Sequence, residues 1–234
     1  MFIKMKKGFT LAEVLITLGI IGVVAALTIP TLISNNREKV YVTRLKATYS
    51  IFSEALKQAS AEDGNPSTWD LGGTATTESA NKLYDHLKPY LKMAGECDSG
   101  KNKKYCFYDG VYKSLFDTDF IQQPKTNYGY SRQGQLQNGV AFVFWTRGGC
   151  EDDTSCGALY VDINGEEPPN KAGVDYFNFN IMGTGWIRPG EPLDDWICKY
   201  NDKSQYNGTK CTKWVLKKGN MDYRRRDISS EWNF

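Results

Sequence analysis

The hydrophobic pattern changes character twice along the chain. From Val14 to Ile33, twenty residues pass without a charge. Their apolar character on every side of a helix suits lipid or a filament core better than one face of a soluble domain. At about 1.5 Å per residue, such a helix reaches about 30 Å, the hydrocarbon thickness of a bilayer. Next, Leu45, Tyr49, Phe52, Leu56 and Ala59 form an apolar stripe on one side of a continuing helix, with Arg44, Lys46, Glu54 and Lys57 elsewhere. Asp63-Gly64-Asn65-Pro66 is its stop signal. After that point short runs take over. Ser79–Met93 predicts a helix, with Leu83, Leu87 and Leu91 at four-residue spacing. Val140–Trp145, Ala158–Asp162 and Tyr176–Ile181 predict strands, being β-branched or aromatic and bounded by Gly, Asn or Asp. Consecutive strands with short links favour an antiparallel sheet. The fold class is therefore α+β: a long N-terminal helix whose second half packs on a globular head with an antiparallel sheet.

The flanks of the apolar segment give it a direction. Lys4, Lys6 and Lys7 precede it, which keeps the N-terminus cytoplasmic and exports the remainder. Glu13 is out of place, because an ionisable residue at the start of a spanning helix is costly and usually has a partner. A secretory signal cut after Val24-Ala25-Ala26 and a plain signal anchor both leave Glu13 unexplained.

Lys6-Lys7-Gly8-Phe9-Thr10-Leu11-Ala12-Glu13 followed by an apolar run resembles the class III signal of the type IV pilin family, which includes the pseudopilins of type II secretion. The resemblance implies cleavage by a prepilin peptidase between Gly8 and Phe9, with the helix retained, and N-methylation of Phe9. Gly8 fits because a residue without a side chain lets the protease approach the backbone. The resemblance further implies that Glu13 pairs with the Phe9 ammonium of a neighbouring subunit and sets axial register, as a buried polar residue does in a coiled coil. Pro30 lacks an N–H and should kink the helix, and the family commonly melts a stretch such as Gly22–Pro30 on assembly. The implied map is a leader at 1–8, a membrane or filament-core helix at 9–33, its amphipathic continuation at 34–62, and an exported, disulfide-bonded α+β head at 63–234. The implied role is a structural subunit of a type IV pilus-like filament or a type II secretion pseudopilus. The resemblance further implies a single-pass inner-membrane protein whose head lies outside the cytoplasm, in the periplasm or on an extracellular filament after assembly. Its partners are the prepilin peptidase, other pilin or pseudopilin subunits, the inner-membrane assembly platform and membrane lipid.

Charge and cysteines refine this picture. Lys+Arg of 29 against Asp+Glu of 27 in 234 residues excludes a protein driven by bulk charge. Loss of Lys4, Lys6 and Lys7 with the leader leaves 26 against 27, near neutrality, which permits close packing of many copies. Six cysteines in an exported domain favour disulfides. Their order suggests local pairs, Cys97–Cys106, Cys150–Cys156 and Cys198–Cys211. Zinc is disfavoured: no C-x-x-C occurs and His86 is the single histidine.

No catalytic motif is present: G-x-S-x-G, a P-loop and H-E-x-x-H are all absent. His86 suits a solvated or helix-packing role. Gly183-Thr184-Gly185-Trp186 reads as a turn, and Asp194-Asp195 are scattered carboxylates with no partner across a cleft. The chain is therefore not expected to be an enzyme or to need a cofactor. Around Asp162-Ile163-Asn164-Gly165 and on to Asp175, a tight inter-strand turn is the first reading. A Ca²⁺ site on Asp162, Asn164 and Asp175 is the second, because oxygen side chains around such a turn can hold calcium; major pseudopilins also resemble one another in binding it. From Cys198 to Phe234 nine Lys and Arg face four Asp and Glu, with aromatics interleaved. A solvated tail is the ordinary reading of such a run, and contact with DNA or an acidic polymer is the sharper one. Asn207-Gly208-Thr209 matches the glycosylation triplet, a short motif that often occurs by chance. The alternative to a filament subunit is a membrane-anchored exported enzyme or carbohydrate-binding module, with Trp145, Trp186 and Trp196 as candidates for sugar stacking.

Overall fold

The computed structural model describes residues 8–73, 76–97, 107–120, 131–191 and 198–233. The chain divides into two compact units, Met1–Val40 and Tyr41–Phe234. Helix α1 (Leu11–Asp63) begins in the first and ends in the second. In the first unit its apolar side chains find no cover among the described residues: Leu15, Ile16, Ile21, Leu27 and Leu32 are all exposed. The helix is long and apolar enough to cross a membrane.

The second unit is built on one sheet. Strands β1 (Met93–Cys97), β2 (Ser131–Leu136), β3 (Ala141–Thr146), β4 (Ser155–Asp162), β5 (Tyr176–Met182) and β6 (Ile187–Pro189) pair in chain order. Every pairing is antiparallel. Alternation assigns the two faces. Phe142 and Phe144 of β3, Leu159 and Val161 of β4, and Phe177 and Phe179 of β5 share the main core with Leu45, Phe52 and Leu56 of α1. Phe52 meets Phe142 and Phe144 edge-on, with ring centroids at 5.2 and 5.8 Å. The opposite face presents Ala141, Val143 and Tyr176, which Phe107, Tyr112 and Phe120 cover.

The predicted stripe is thus the packed face of α1: Leu45, Phe52, Leu56 and Ala59 are buried, and Tyr49 is partly so. The three predicted strands are present, each with slightly shifted ends. Ser79–Met93 is not one helix. Helix α2 (Thr77–Leu87) opens on a Thr76–Ser79 capping box and gives way to a 3₁₀ turn at Lys88–Tyr90. Pro89 has no N–H to carry the α-helical ladder onward, although Lys88 before it keeps a right-handed helical conformation. Leu91 is still buried, but Met93 belongs to β1. Helix α3 (Thr212–Lys218) closes at Gly219, whose φ of 70° is the left-handed conformation that a helix C-terminus favours.

Candidate functional site

The N-terminal segment is organised by its own polar residues. Thr10 caps α1: the Glu13 amide donates to Thr10 Oγ1 at 3.2 Å, and the Thr10 amide and hydroxyl donate to Glu13 Oε2, both at 2.8 Å. This reciprocal pair is the capping box of a T-x-x-E sequence, a signal present in Thr10-Leu11-Ala12-Glu13 that the reading of Glu13 above did not use. Further in, Thr17 and Thr28 return their hydroxyls to the main-chain oxygens of Glu13 and Val24, each at 2.9 Å. Both side chains are thereby satisfied inside an apolar stretch. Gly8 is exposed, and Phe9 is 90% exposed just before the first helical turn. The α-helix runs on through Gly22 and Pro30, and nothing lies within 4 Å of a side chain built at Gly19 or Gly22. No contact among the described residues asks for glycine at either place.

In the head, Asp162 ends β4 and Asp175 immediately precedes β5, and both are fully buried. The Tyr112 hydroxyl donates to Asp162 Oδ2 at 2.6 Å, and the Asn164 amide to Oδ1 at 3.1 Å. The Asn170 and Lys171 amides donate to Asp175 at 2.8 and 2.6 Å. Burial, then the Asp175 charge, holds the Asp162 carboxyl well above the usual range. Burial likewise pushes Asp175 up to about 6, against the pull of its backbone donors. Asn164 Oδ1 and Asn170 Oδ1 are buried without a hydrogen-bond partner. Among the described residues no group of three His, Cys, Asp or Glu converges. A cation here would therefore draw on Asp162, Asp175 and the amide oxygens, a donor set of the hard-oxygen kind that calcium takes.

Two of the suggested disulfides are in place. Cys150–Cys156 has its Cα atoms 4.8 Å apart and Cys198–Cys211 has its own at 5.2 Å. Cys97 is disulfide-bonded as well, and Cys106 lies outside the described residues. His86 packs flat on Trp69, with ring centroids at 4.1 Å, and its Nδ1 lies 2.7 Å from Asp63 Oδ2. This is a helix-packing role. Asn207 is fully buried: its amide nitrogen donates to the Lys199 and Asp202 carbonyls, and its carbonyl accepts from the Lys199 amide. It organises the loop closed by Cys198–Cys211 and has no free amide for a glycan. The basic segment is not a free tail, although most of its cations are solvated. Trp214, Tyr223 and Ile228 belong to the core, and Arg225 and Arg226 are tied to Asp222, with Arg226 also on Glu231. The aromatics of this segment drive it into the fold rather than interleave a free charge run. Trp145 carries the Arg147 guanidinium over its ring at 5.3 Å, and Trp186 is exposed in the turn that Gly183–Gly185 forms. Asp194, Asp195 and Trp196 lie outside the described residues.

A capped helix opening at Leu11, uncovered and apolar through Ile33, follows a basic start and an accessible Gly8-Phe9 pair. These features define a type IV pilin-like prepilin, and a model described as the prokaryotic N-terminal methylation motif matches residues 3–29. The chain belongs to the family described as Family of unknown function (DUF6613), whose model matches residues 31–186. No curated protein and no solved structure matches the chain. The class III signal makes the chain a substrate of prepilin peptidase that assembles with other pilins. Together with the apolar helix, it marks a membrane-anchored structural protein with an exported head.

Proposed function

We propose that this protein is a subunit of a type IV pilus-like filament or a type II secretion pseudopilus. It waits as a single-pass protein of the inner membrane until the assembly platform draws it into the filament. The observation that carries the reading is the class III signal set directly on an apolar helix that none of the described residues covers. Cleavage between Gly8 and Phe9 leaves a methylated amine one residue before the Thr10 cap, and burial of residues 9–33 among neighbouring copies then supplies the cohesion. Glu13, placed on the first turn, answers the Phe9 ammonium of the next subunit. Gly22–Pro30 is the stretch that yields during packing. Intact mass and N-terminal sequencing of the protein from its own membranes test this. The expected chain starts at N-methyl-Phe9; a start at Met1 or after Ala26 would sink the filament reading.

We also propose that calcium stabilises the loop between Asp162 and Asp175. Two buried carboxylates, both raised by burial and Asp162 further by the Asp175 charge, beside two amide oxygens without partners, support it. The sign of the pH dependence follows from the raised values. A carboxyl whose folded pKa exceeds its unfolded value stabilises the fold at low pH and loses that contribution as pH rises through the folded pKa. For Asp175 the loss runs from about 4 to about 6, and Asp162 extends it upward. In calcium-free buffer the thermal midpoint of the head is therefore expected to be higher at pH 5 than at pH 7. Below about pH 4 the trend reverses, because Arg226 and Arg225 hold Asp222 below the usual range. Millimolar Ca²⁺ should raise the pH 7 midpoint by RT ln(1 + [L]/Kd) converted through the unfolding entropy, and flatten the profile. A midpoint that ignores calcium removes the site.

A further inference from the structure

Between the outer half of α1 and the β6–α3 edge lies a cavity of about 470 Å³. Its apolar walls are Tyr49, Trp186, Pro189 and Leu216. Tyr49 is held in place: its ring stacks on Phe179 at 5.8 Å, and its hydroxyl donates to the Ile187 carbonyl at 3.5 Å. Trp186 is held by its backbone. The Met182 amide donates to the Trp186 carbonyl at 3.0 Å, and Gly185 makes the turn at a φ of 80°, close against Ser60 and Asn65. Yet its indole is 48% exposed. An exposed indole on a fixed turn, beside a second aromatic wall and a basic rim, offers a face on which a flat ring can stack.

The rim is basic. Lys46, Arg188, Lys213 and Lys217 line the cavity, against Glu191 alone. Glu191 is spent on an ion pair with Lys213. Among the described residues no carboxylate pairs with Lys46, Arg188 or Lys217. The positive charge continues past the cavity: Lys210 is half-buried within electrostatic reach of Arg188 and Arg147, and burial followed by those two cations pushes its ammonium down. Arg147 in turn lies over Trp145. Cations therefore run from Lys217 and Lys46 through Arg188 and Lys210 to Arg147, with one occupied carboxylate among them.

We propose that this cavity and its basic rim bind single-stranded nucleic acid, with one base between Tyr49 and Trp186 and the phosphates along the cations. The chemistry selects this ligand over an acidic polysaccharide. The cations would serve either polymer, so the slot decides: its walls are apolar and aromatic, and the lining offers no Ser, Thr, Asn or Gln and only the occupied Glu191 for the remaining hydroxyls of a sugar. A base needs chiefly an apolar slot and an aromatic face, and a basic groove with aromatic platforms is the usual device for binding single strands without sequence preference. A base inside a duplex cannot leave its stack to enter the cavity without an unstacking cost, so single strands should bind more tightly than duplexes.

The site lies wholly within Tyr41–Phe234 and does not depend on filament assembly, so a wrong reading of the leader leaves it intact. The test is titration of a fluorescent oligo-dT into the full-length protein in detergent micelles over a salt series. Binding should weaken with salt along a log–log slope of about −0.7 per phosphate neutralised. Lys217→Gln and Arg188→Gln should each reduce that slope by about 0.7. Trp186→Ala should leave the slope unchanged and weaken binding by about fivefold to a hundredfold, the range for losing one stacked base. Trp186→Phe should recover much of the loss, which separates stacking from misfolding. The proposal is overturned by absent binding at low salt, by equal binding of a duplex, or by a polyuronate that competes as well as oligo-dT. A salt-dependent affinity indifferent to Trp186→Ala also overturns it, since that describes a basic surface without the cavity.

Discussion

Glu13→Val is expected to leave membrane insertion at its normal level while cutting assembled filament by about a hundredfold or more. Removing one partner of a buried charge pair costs about 3–5 kcal/mol, and each 1.4 kcal/mol is about tenfold in an association constant. The capping geometry complicates a simple reading, because the same carboxylate accepts two hydrogen bonds from Thr10. Valine removes the cap and the charge together. Glu13→Gln separates them, since glutamine serves at the third position of a capping box but cannot answer an ammonium. If the carboxylate acts between subunits, Gln fails nearly as badly as Val. If it acts only as a cap, Gln assembles close to normally. The readout is filament sheared from cells against protein retained in membranes. An anchored enzyme or binding module would show neither loss, so a normal yield with both variants ends the register role.

How far the sequence could be read depended on how local each cause was. The α1 stripe was legible because one face of a helix repeats regularly and the residues opposite it are charged. β3, β4 and β5 were legible because their aromatic and β-branched runs are buried. β2 was not: Ser131-Arg132-Gln133-Gly134-Gln135-Leu136 is polar and exists as a strand because β1 and β3 pair with it on both sides. The capping box at Thr10 is equally local, since T-x-x-E is its signature, but the same glutamate also fits a role between subunits. Non-local packing decided the rest. The C-terminal charge run has the composition of a tail, yet Trp214 and Tyr223 anchor it in the core, and only folding brings Tyr49 beside Trp186 and Arg188. No periodicity announces a cavity assembled from three separate elements.

The second large effect concerns the head. Phe52→Ala should lower its stability by about 3–5 kcal/mol. For a domain of this size that corresponds to a midpoint lower by about 6–20 °C, at about 2–4 °C per kcal/mol. Phe52 is essentially fully buried and closes edge-on against both Phe142 and Phe144. Alanine therefore leaves a void at the contact between helix and sheet that rigid neighbours fill only in part. All six tryptophans lie between Trp69 and Trp232, so fluorescence of the full-length chain in detergent reports the head alone. Ile21→Ala is the matched control. Ile21 belongs to the same helix but is 62% exposed within the chain, so its loss should leave the tryptophan transition in place and act only where neighbouring copies cover it. A small shift for Phe52→Ala would mean that the outer half of α1 lies on the head without sharing its core. A shift for Ile21→Ala would mean that residues before Tyr41 bear on the head's stability. The expected pair of results instead assigns one continuous helix two separate tasks, cohesion between subunits before Tyr41 and the core of the head after it.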